Sequence, residues 1–262
     1  MKKIWIIVAM GLTIIGLTLS GCTEKENNGT NEASIHAYVG AGLQQPMDEI
    51  GKEFEKKYHI KVNYDYAGGG LLYSKVLASN KGDIFMPGTY FYVNELNKKG
   101  YITEVANITK HIPVIVVKKG NPKNITSLED LGKPGIKLAL NDEDNCIGRT
   151  FNKILSKAEK DHPDITKRIK NNTVVKGATV KQTLIYVELG QVDAGVVWRA
   201  DAIEDKDKVN IIPINPKYNI IKTVPIAILK TTKNKKNARL FYDFVNTKGK
   251  EIFKKYGYEV VE

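Results

Sequence analysis

Beyond residue 33 the chain alternates short β-branched runs with stretches whose apolar positions recur every three or four residues, the pattern of an α/β fold. Residues 35–39 read as a strand that stops at Gly40-Ala41-Gly42. Met47, Ile50, Phe54 and Tyr58 then share one helix face, with charges between them. A second strand over 60–64 meets Gly68-Gly69-Gly70, and helical spacing resumes at Leu71. Asp83-Ile84-Phe85-Met86 is a third strand, ended by Pro87-Gly88 and followed by a helix over 91–99. The most apolar strand, 112–117, is where the chain is expected to cross first between two lobes. Thr126 or Ser127 is expected to cap a helix running into Leu128-Glu129-Asp130-Leu131. Further strands are predicted over 136–140, 173–175, 194–198, 209–213 and 223–228, with helices over 147–158 and 180–189. A long helix over 237–253, gathering Leu240, Phe241, Phe244, Val245 and Phe253, closes the pattern.

The amino-terminal stretch follows a different rule. Lys2 and Lys3 precede an uncharged, largely apolar run up to Leu19, the layout of a secretory signal peptide. Leu19-Ser20-Gly21-Cys22 resembles a lipobox, in which Cys22 becomes the lipidated first residue of the mature chain. Residues 1–21 are therefore assigned to a signal peptide, and the polar, aperiodic 22–32 to a flexible tether. The alternative is a retained anchor, since the apolar run is nearly long enough to span a bilayer. Either assignment places the folded part at the extracytoplasmic face of the cell membrane.

The length of 262 residues suits one large domain or two modest ones of roughly 100–150 residues each. A hydrophobic share of 42% excludes global disorder, and the absence of any long interior apolar run excludes a polytopic membrane protein. The net charge of +11 favours the approach of anions. Lys233-Asn234-Lys235-Lys236 lacks interleaved aromatics and reads as a solvated turn, so no nucleic-acid partner is expected. With Cys22 consumed by lipid, Cys146 stands alone and forms no internal bridge. It has no paired base and is read as a small buried thiol rather than a nucleophile. His36, His59, His111 and His162 show no ligand spacing, so neither a metal site nor a cofactor is expected.

The chemistry lies in three strand-to-helix turns: Gly40-Ala41-Gly42, Gly68-Gly69-Gly70, and the approach to Ile147-Gly148. Glycine lets a ligand reach main-chain N–H groups with no Cβ in the way. Each turn precedes a helix whose first amides lack intrahelical partners and carry the positive end of the dipole. Several such starts around one cleft make an anion site; taken singly, each is only a tight turn. No Walker A spacing is present.

These residues also carry a resemblance. Gly40-Ala41-Gly42-Leu43, Asp83-Ile84-Phe85 and Ser127-Leu128-Glu129-Asp130-Leu131 occur in the order found in the molybdate/tungstate-binding proteins of ABC importers, a branch of the type II periplasmic substrate-binding proteins. The run from Val187 to Ala202, with Glu188, Gly190, Asp193-Ala194-Gly195 and Asp201-Ala202, is similar to that family's Val-Glu-x-Gly-Glu-Ala-Asp-Ala-Gly-Ile-Val-Tyr-x-Ser-Asp-Ala. Ile252-Phe253-Lys254-Lys255-Tyr256-Gly257-Tyr258 resembles its carboxy-terminal motif.

The resemblance implies two α/β lobes joined by two crossing strands, residues 33–110 with 223–262 forming one and 111–222 the other. It implies a monomeric, non-enzymatic receptor that holds a small oxyanion, molybdate or tungstate first, and delivers it to a permease and its ATPase. The ligand-facing positions carried over are Gly42, Gly68, Gly69, Gly70, Ile147 and Val180 through their amides, and Trp198. Ala41 and Gly148 join them from the glycine turns. Three departures touch ligand identity. Gly42 and Gly68-Gly69-Gly70 stand where the family uses serine hydroxyls, Trp198 replaces a tyrosine, and Arg149 adds a charge able to pair with an anion. Sulfate, phosphate or a small carboxylate is the alternative ligand; a sensor ectodomain or an exported hydrolase is the alternative function. Asp142-Glu143-Asp144 is read as capping the following helix.

Overall fold

Two mixed sheets carry the structure, a computed structural model that describes residues 34–143 and 145–262. The expected signal peptide, Cys22 and the tether lie outside the described residues, as does Asp144. The chain runs β1 (Ser34–Gly40), α1 (Gln44–Tyr58), β2 (Lys61–Ala67), α2 (Gly69–Ser79), β3 (Ile84–Met86), α3 (Tyr90–Lys98), β4 (Ile102–His111) and β5 (Pro113–Lys118). It continues with β6 (Leu138–Asn141), α4 (Cys146–Ala158), α5 (Ile165–Asn172), β7 (Thr173–Gly177), α6 (Val180–Glu188), β8 (Ala194–Trp198) and α7 (Arg199–Glu204). Then come β9 (Val209–Pro213), β10 (Lys222–Leu229), α8 (Lys235–Phe244), α9 (Lys250–Lys255) and β11 (Glu259–Val260).

The first sheet has the order β11-β4-β10-β3-β1-β2 and the second β7-β6-β8-β5-β9. β1 runs parallel to β2 and β3, and β6 parallel to β7 and β8. β10 and β5 enter antiparallel to their neighbours. Alternation decides what each face buries. Ile35, Ala37 and Val39 pack with Met47, Ile50 and Phe54 of α1, while Tyr38 turns to Leu72, Phe85 and Val93. Phe54 meets Phe241 of α8 edge to face at 4.9 Å, and burying such a ring is worth about 1.5–3 kcal/mol. In the second sheet Ile115 and Val117 face one layer of helices, Val114 and Val116 the other.

The chain passes between the sheets at Ile112 and returns between Ile214 and Ile221, and His111 pairs with Lys222 where the two passages meet. Helices α1, α2 and α3 start where β1, β2 and β3 end; α4, α6 and α7 start after β6, β7 and β8. In open α/β sheets the crevice beyond these carboxyl ends is the usual ligand site.

Several expectations need correction. The segment after Ser127 is a short 3-10 turn, Glu129–Gly132, and capping runs in reverse: the Asp130 carboxylate accepts from the Thr126 and Ser127 amides at 2.7 and 3.2 Å. The single long closing helix is α8 and α9 separated by a π-helical turn, Val245–Gly249. That turn brings Gly249 against Ile50 of α1, where an added Cβ would lie 3.3 Å from Cδ1. Strand β4 and helix α5 were not foreseen. The helix after Asp142-Glu143 takes its cap from Asn145 rather than from those acids.

Candidate functional site

In the first lobe the β1–α1 turn is a 3-10 turn, Ala41–Leu43, and the Tyr258 hydroxyl donates to the Gly42 carbonyl at 2.7 Å. An added Cβ at Gly42 would meet nothing within 4 Å, so this glycine faces open space. Helix α2 starts at Gly68 with no side-chain cap, and Leu72 is the first amide to reach back, to Gly68 O. The amides of Gly69 and Gly70 are therefore left without intrahelical acceptors.

In the second lobe the Asn145 side chain caps α4, its Oδ1 accepting from Gly148 N at 2.9 Å, while Arg149 N bonds Asn145 O. This leaves the Cys146 and Ile147 amides at the helix start. Thr179 Oγ1 caps α6 by accepting from Gln182 N at 3.1 Å, leaving Val180 and Lys181 in the corresponding places. Gly148 has a steric reason to be glycine: a Cβ there would lie 2.0 Å from the Asp142 carbonyl oxygen.

Where the chain passes between lobes, the Trp198 and Tyr258 rings lie 4.9 and 6.0 Å from the His111 ring, each tilted 36° to it. Burial, and then the neighbouring Lys222, push the His111 pKa down to about 4, so the ring is neutral at physiological pH. Asp201, in the first turn of α7, moves the other way: burial and then the Glu204 charge raise its pKa to about 7.

Two compartments open between the lobes. One, of about 540 Å³, is lined by Ala41, Gly42, Val180 and Trp198 together with the acids Asp201 and Glu204. The other, of about 780 Å³, is lined by Gly68, Gly69, Gly70, Arg149, Cys146 and Lys222. Ile147 lines neither: its side chain is packed in the core of the second lobe, so only its amide is offered at the helix start. Gly148 lines a separate cavity of about 330 Å³ within the second lobe, and its amide is occupied by Asn145. Arg149 is exposed, with Nη1 at 3.5 Å from Glu143 O. Cys146 is half-buried on the cleft rather than fully enclosed.

The charges divide unevenly. Asp48, Asp201 and Glu204 accompany Lys181 around the smaller compartment. Among the described residues, the larger one has Arg149, Lys153 and Lys222 on its walls and no carboxylate. Lys222, Asn145 and His111 were missed in the sequence. Each is an ordinary residue in its own segment, and only the meeting of β4, β10 and α4 brings them together. No group of three or more metal-ligating side chains occurs among the described residues.

Residues 35–259 match the model of a family described as bacterial extracellular solute-binding protein. A candidate binding protein of Haemophilus influenzae is 31% identical over 213 residues, 81% of this chain and 84% of that one. The molybdate-binding protein ModA of Mycobacterium tuberculosis is 26% identical over 265 residues, 97% of this chain and 98% of its own. The substrate-binding domain of a candidate molybdenum ABC transporter from Clostridium difficile superposes with a TM-score of 0.75 at 21% identity, over 88% of this chain and 100% of that one. Two sheets joined by paired passages, a cleft at the carboxyl ends of their parallel strands and a family match across nearly the whole described chain lead to one assignment: the chain belongs to the bacterial extracellular solute-binding proteins and has their two-lobed type II periplasmic-binding fold.

Proposed function

We propose that this protein is the extracytoplasmic receptor of an ABC importer, binding a small oxyanion between its lobes and handing it to the permease and its ATPase. Molybdate or tungstate is the proposed ligand, in keeping with the molybdate-binding relative. The observation that carries the reading is the meeting of helix starts from both lobes, at Gly42 and Gly69 on one side and at Val180 and Cys146 on the other, around the interlobe compartments. Such amides bind an anion without a dedicated counter-ion. Binding is reversible and requires no covalent step: the lobes open, close on the ligand, and the closed form docks. The protein acts as a monomer held to the membrane through lipid on Cys22.

A second ligand class, sulfate, phosphate or a small carboxylate, is favoured by the glycines at Gly42 and Gly68 and by the compartment of about 780 Å³. The test is thermal unfolding of the mature protein with tungstate, molybdate, sulfate, phosphate and small carboxylates, followed by calorimetry on any hit. A ligand at 100 times its dissociation constant adds about 2.7 kcal/mol, a readily measured shift. Indifference to every anion offered rejects the reading, and turnover of the bound compound rejects a receptor in favour of an enzyme.

A further inference from the structure

Lys222 is the first residue of β10, beside His111 at the point where the chain passes between lobes. Its ammonium reaches into the larger compartment and, among the described residues, has one hydrogen-bond partner, the Cys146 thiol at the start of α4, at 3.9 Å. A thiol at that distance is a weak partner and leaves the charge uncompensated. None of the ion pairs among the described residues involves Lys222. A half-buried cation held at an interlobe junction without a carboxylate is costly, and the cost is relieved by a bound anion.

A second group on the same wall has the same need. Asn145 spends its Oδ1 on Gly148 N, yet its Nδ2 has almost no accessible surface and no acceptor among the described residues, so a ligand oxygen reaches it once the side chain shifts towards the compartment. Buried donors in native folds are nearly always satisfied, by protein, water or ligand. Facing these two groups is the uncapped start of α2, with the amides of Gly69 and Gly70. Acids line the neighbouring compartment instead, and they disfavour placing a negative charge there.

We infer that Lys222 is the fixed counter-charge for the ligand's oxyanion group and that Asn145 Nδ2 is its second side-chain donor, so the group sits in the compartment walled by Gly68, Gly69 and Gly70. The inference rests on the anion-binding reading and sharpens it. The ligand chemistry is a tetrahedral or planar oxygen-rich anion, either free or carried on a small organic acid. A compartment of about 780 Å³ falls in the range of pockets that hold small organic molecules, about 300–1,000 Å³, so the carbon body has room beside the anionic group.

Calorimetry on the parent, Lys222→Met, Lys222→Arg and Asn145→Asp separates the outcomes, with tungstate, inorganic phosphate, citrate and glycerol 3-phosphate as probes. Lys222→Met keeps the length of the side chain and removes its charge; Asn145→Asp keeps the oxygen cap on Gly148 and replaces a donor by an acceptor. Both are expected to weaken the tightest-bound probe at least about tenfold, with a shallower salt dependence for Lys222→Met and partial recovery in Lys222→Arg. The tightest-bound probe shows whether the anionic group is free or carried on carbon. Parent-like binding by well-folded Lys222→Met overturns the inference while leaving the anion reading standing. If Lys222→Met does not fold, parent-like binding by Asn145→Asp overturns it. A parent that binds none of the probes overturns the anion reading and this inference together.

Discussion

Introducing serine at Gly42 and Gly68 tests which turns face the ligand. At both positions an added Cβ meets no atom within 4 Å, so Gly42→Ser and Gly68→Ser introduce a hydroxyl without moving a neighbour. A hydrogen bond from that hydroxyl to a charged oxygen is worth about 1.5–3 kcal/mol. Ordering the new side chain takes back part of this, leaving a gain of about 1–2 kcal/mol, or roughly 5–30-fold in affinity. Gly68 adds a second route, because it is the uncapped residue at the start of α2. Serine there can accept from an amide of the first turn, which raises the stability of the free protein by a few tenths of a kcal/mol relative to glycine. The two routes separate by assay: the melting temperature of the free protein reports the cap, and titration with tungstate or molybdate reports the ligand contact. Gly69→Ser is the control. Its Cβ would lie 2.8 Å from Tyr92 Cδ2 and 3.3 Å from the Pro87 carbonyl oxygen, so the ring must shift, at a cost of about 1–3 kcal/mol in stability. The gain is expected at Gly68, whose turn walls the compartment assigned to the oxyanion, and not at Gly42, which lines the acid-rich one. A Gly68→Ser variant that folds as well as the parent and binds a small oxyanion no more tightly would refute the placement of that turn. Weaker binding would show that the ligand fills the volume the glycines leave.

Two further outcomes follow from packing and titration. Gly148→Ala forces a methyl group against the Asp142 carbonyl carbon and oxygen, main-chain atoms that cannot swing aside. A loss of at least about 1–3 kcal/mol in urea unfolding is expected, and a neutral result would contradict the α4 geometry. His111 and Asp201 give opposite pH dependences. The His111 pKa of about 4 lies below the unfolded value near 6.5, so the unfolded chain binds the extra proton and this group makes stability rise from about pH 4 to 6.5. The Asp201 pKa of about 7 lies above its model-peptide value of 3.8, so the fold retains a proton and this group makes stability fall from about pH 4 to 7. Asp201→Asn removes the falling limb. Its stability relative to the parent is expected to climb by at least about 1 kcal/mol between pH 4 and 7, and parallel profiles for the two proteins would refute the shift.

How much of this was legible beforehand depends on the range of the interactions involved. Strands β1, β5 and β8 were readable because they are buried on both faces and show as nearly unbroken apolar runs, as in Ala194–Trp198. Strand β4 is hard to read from the sequence although it carries Ile102, Val105, Ile108 and Thr109. Polar residues such as Glu104, Asn107 and Lys110 dilute its pattern, and its pairing partners β10 and β11 come from the far end of the chain. Helix α5 is only eight residues long and announces itself by one pair, Ile165 and Ile169. The glycine turns were visible as turns, but Gly148 and Gly42 look alike in sequence. Only the fold separates the one pressed against a carbonyl from the one facing open space. The pairing of Lys222 with Cys146 joins segments 76 positions apart, beyond the reach of any local pattern.

The bond from Tyr258 to Gly42 joins positions 216 residues apart, and β11 just beyond it lies along β4. The loop at Gly42 is therefore moored from the opposite terminus, by a segment that itself lines neither interlobe compartment. Deleting residues 258–262 would cast that loop adrift while leaving every cleft-lining residue in place. A fusion partner spliced on near Val260 would tug on the same mooring, so the tail of this receptor is a poor place to attach a label.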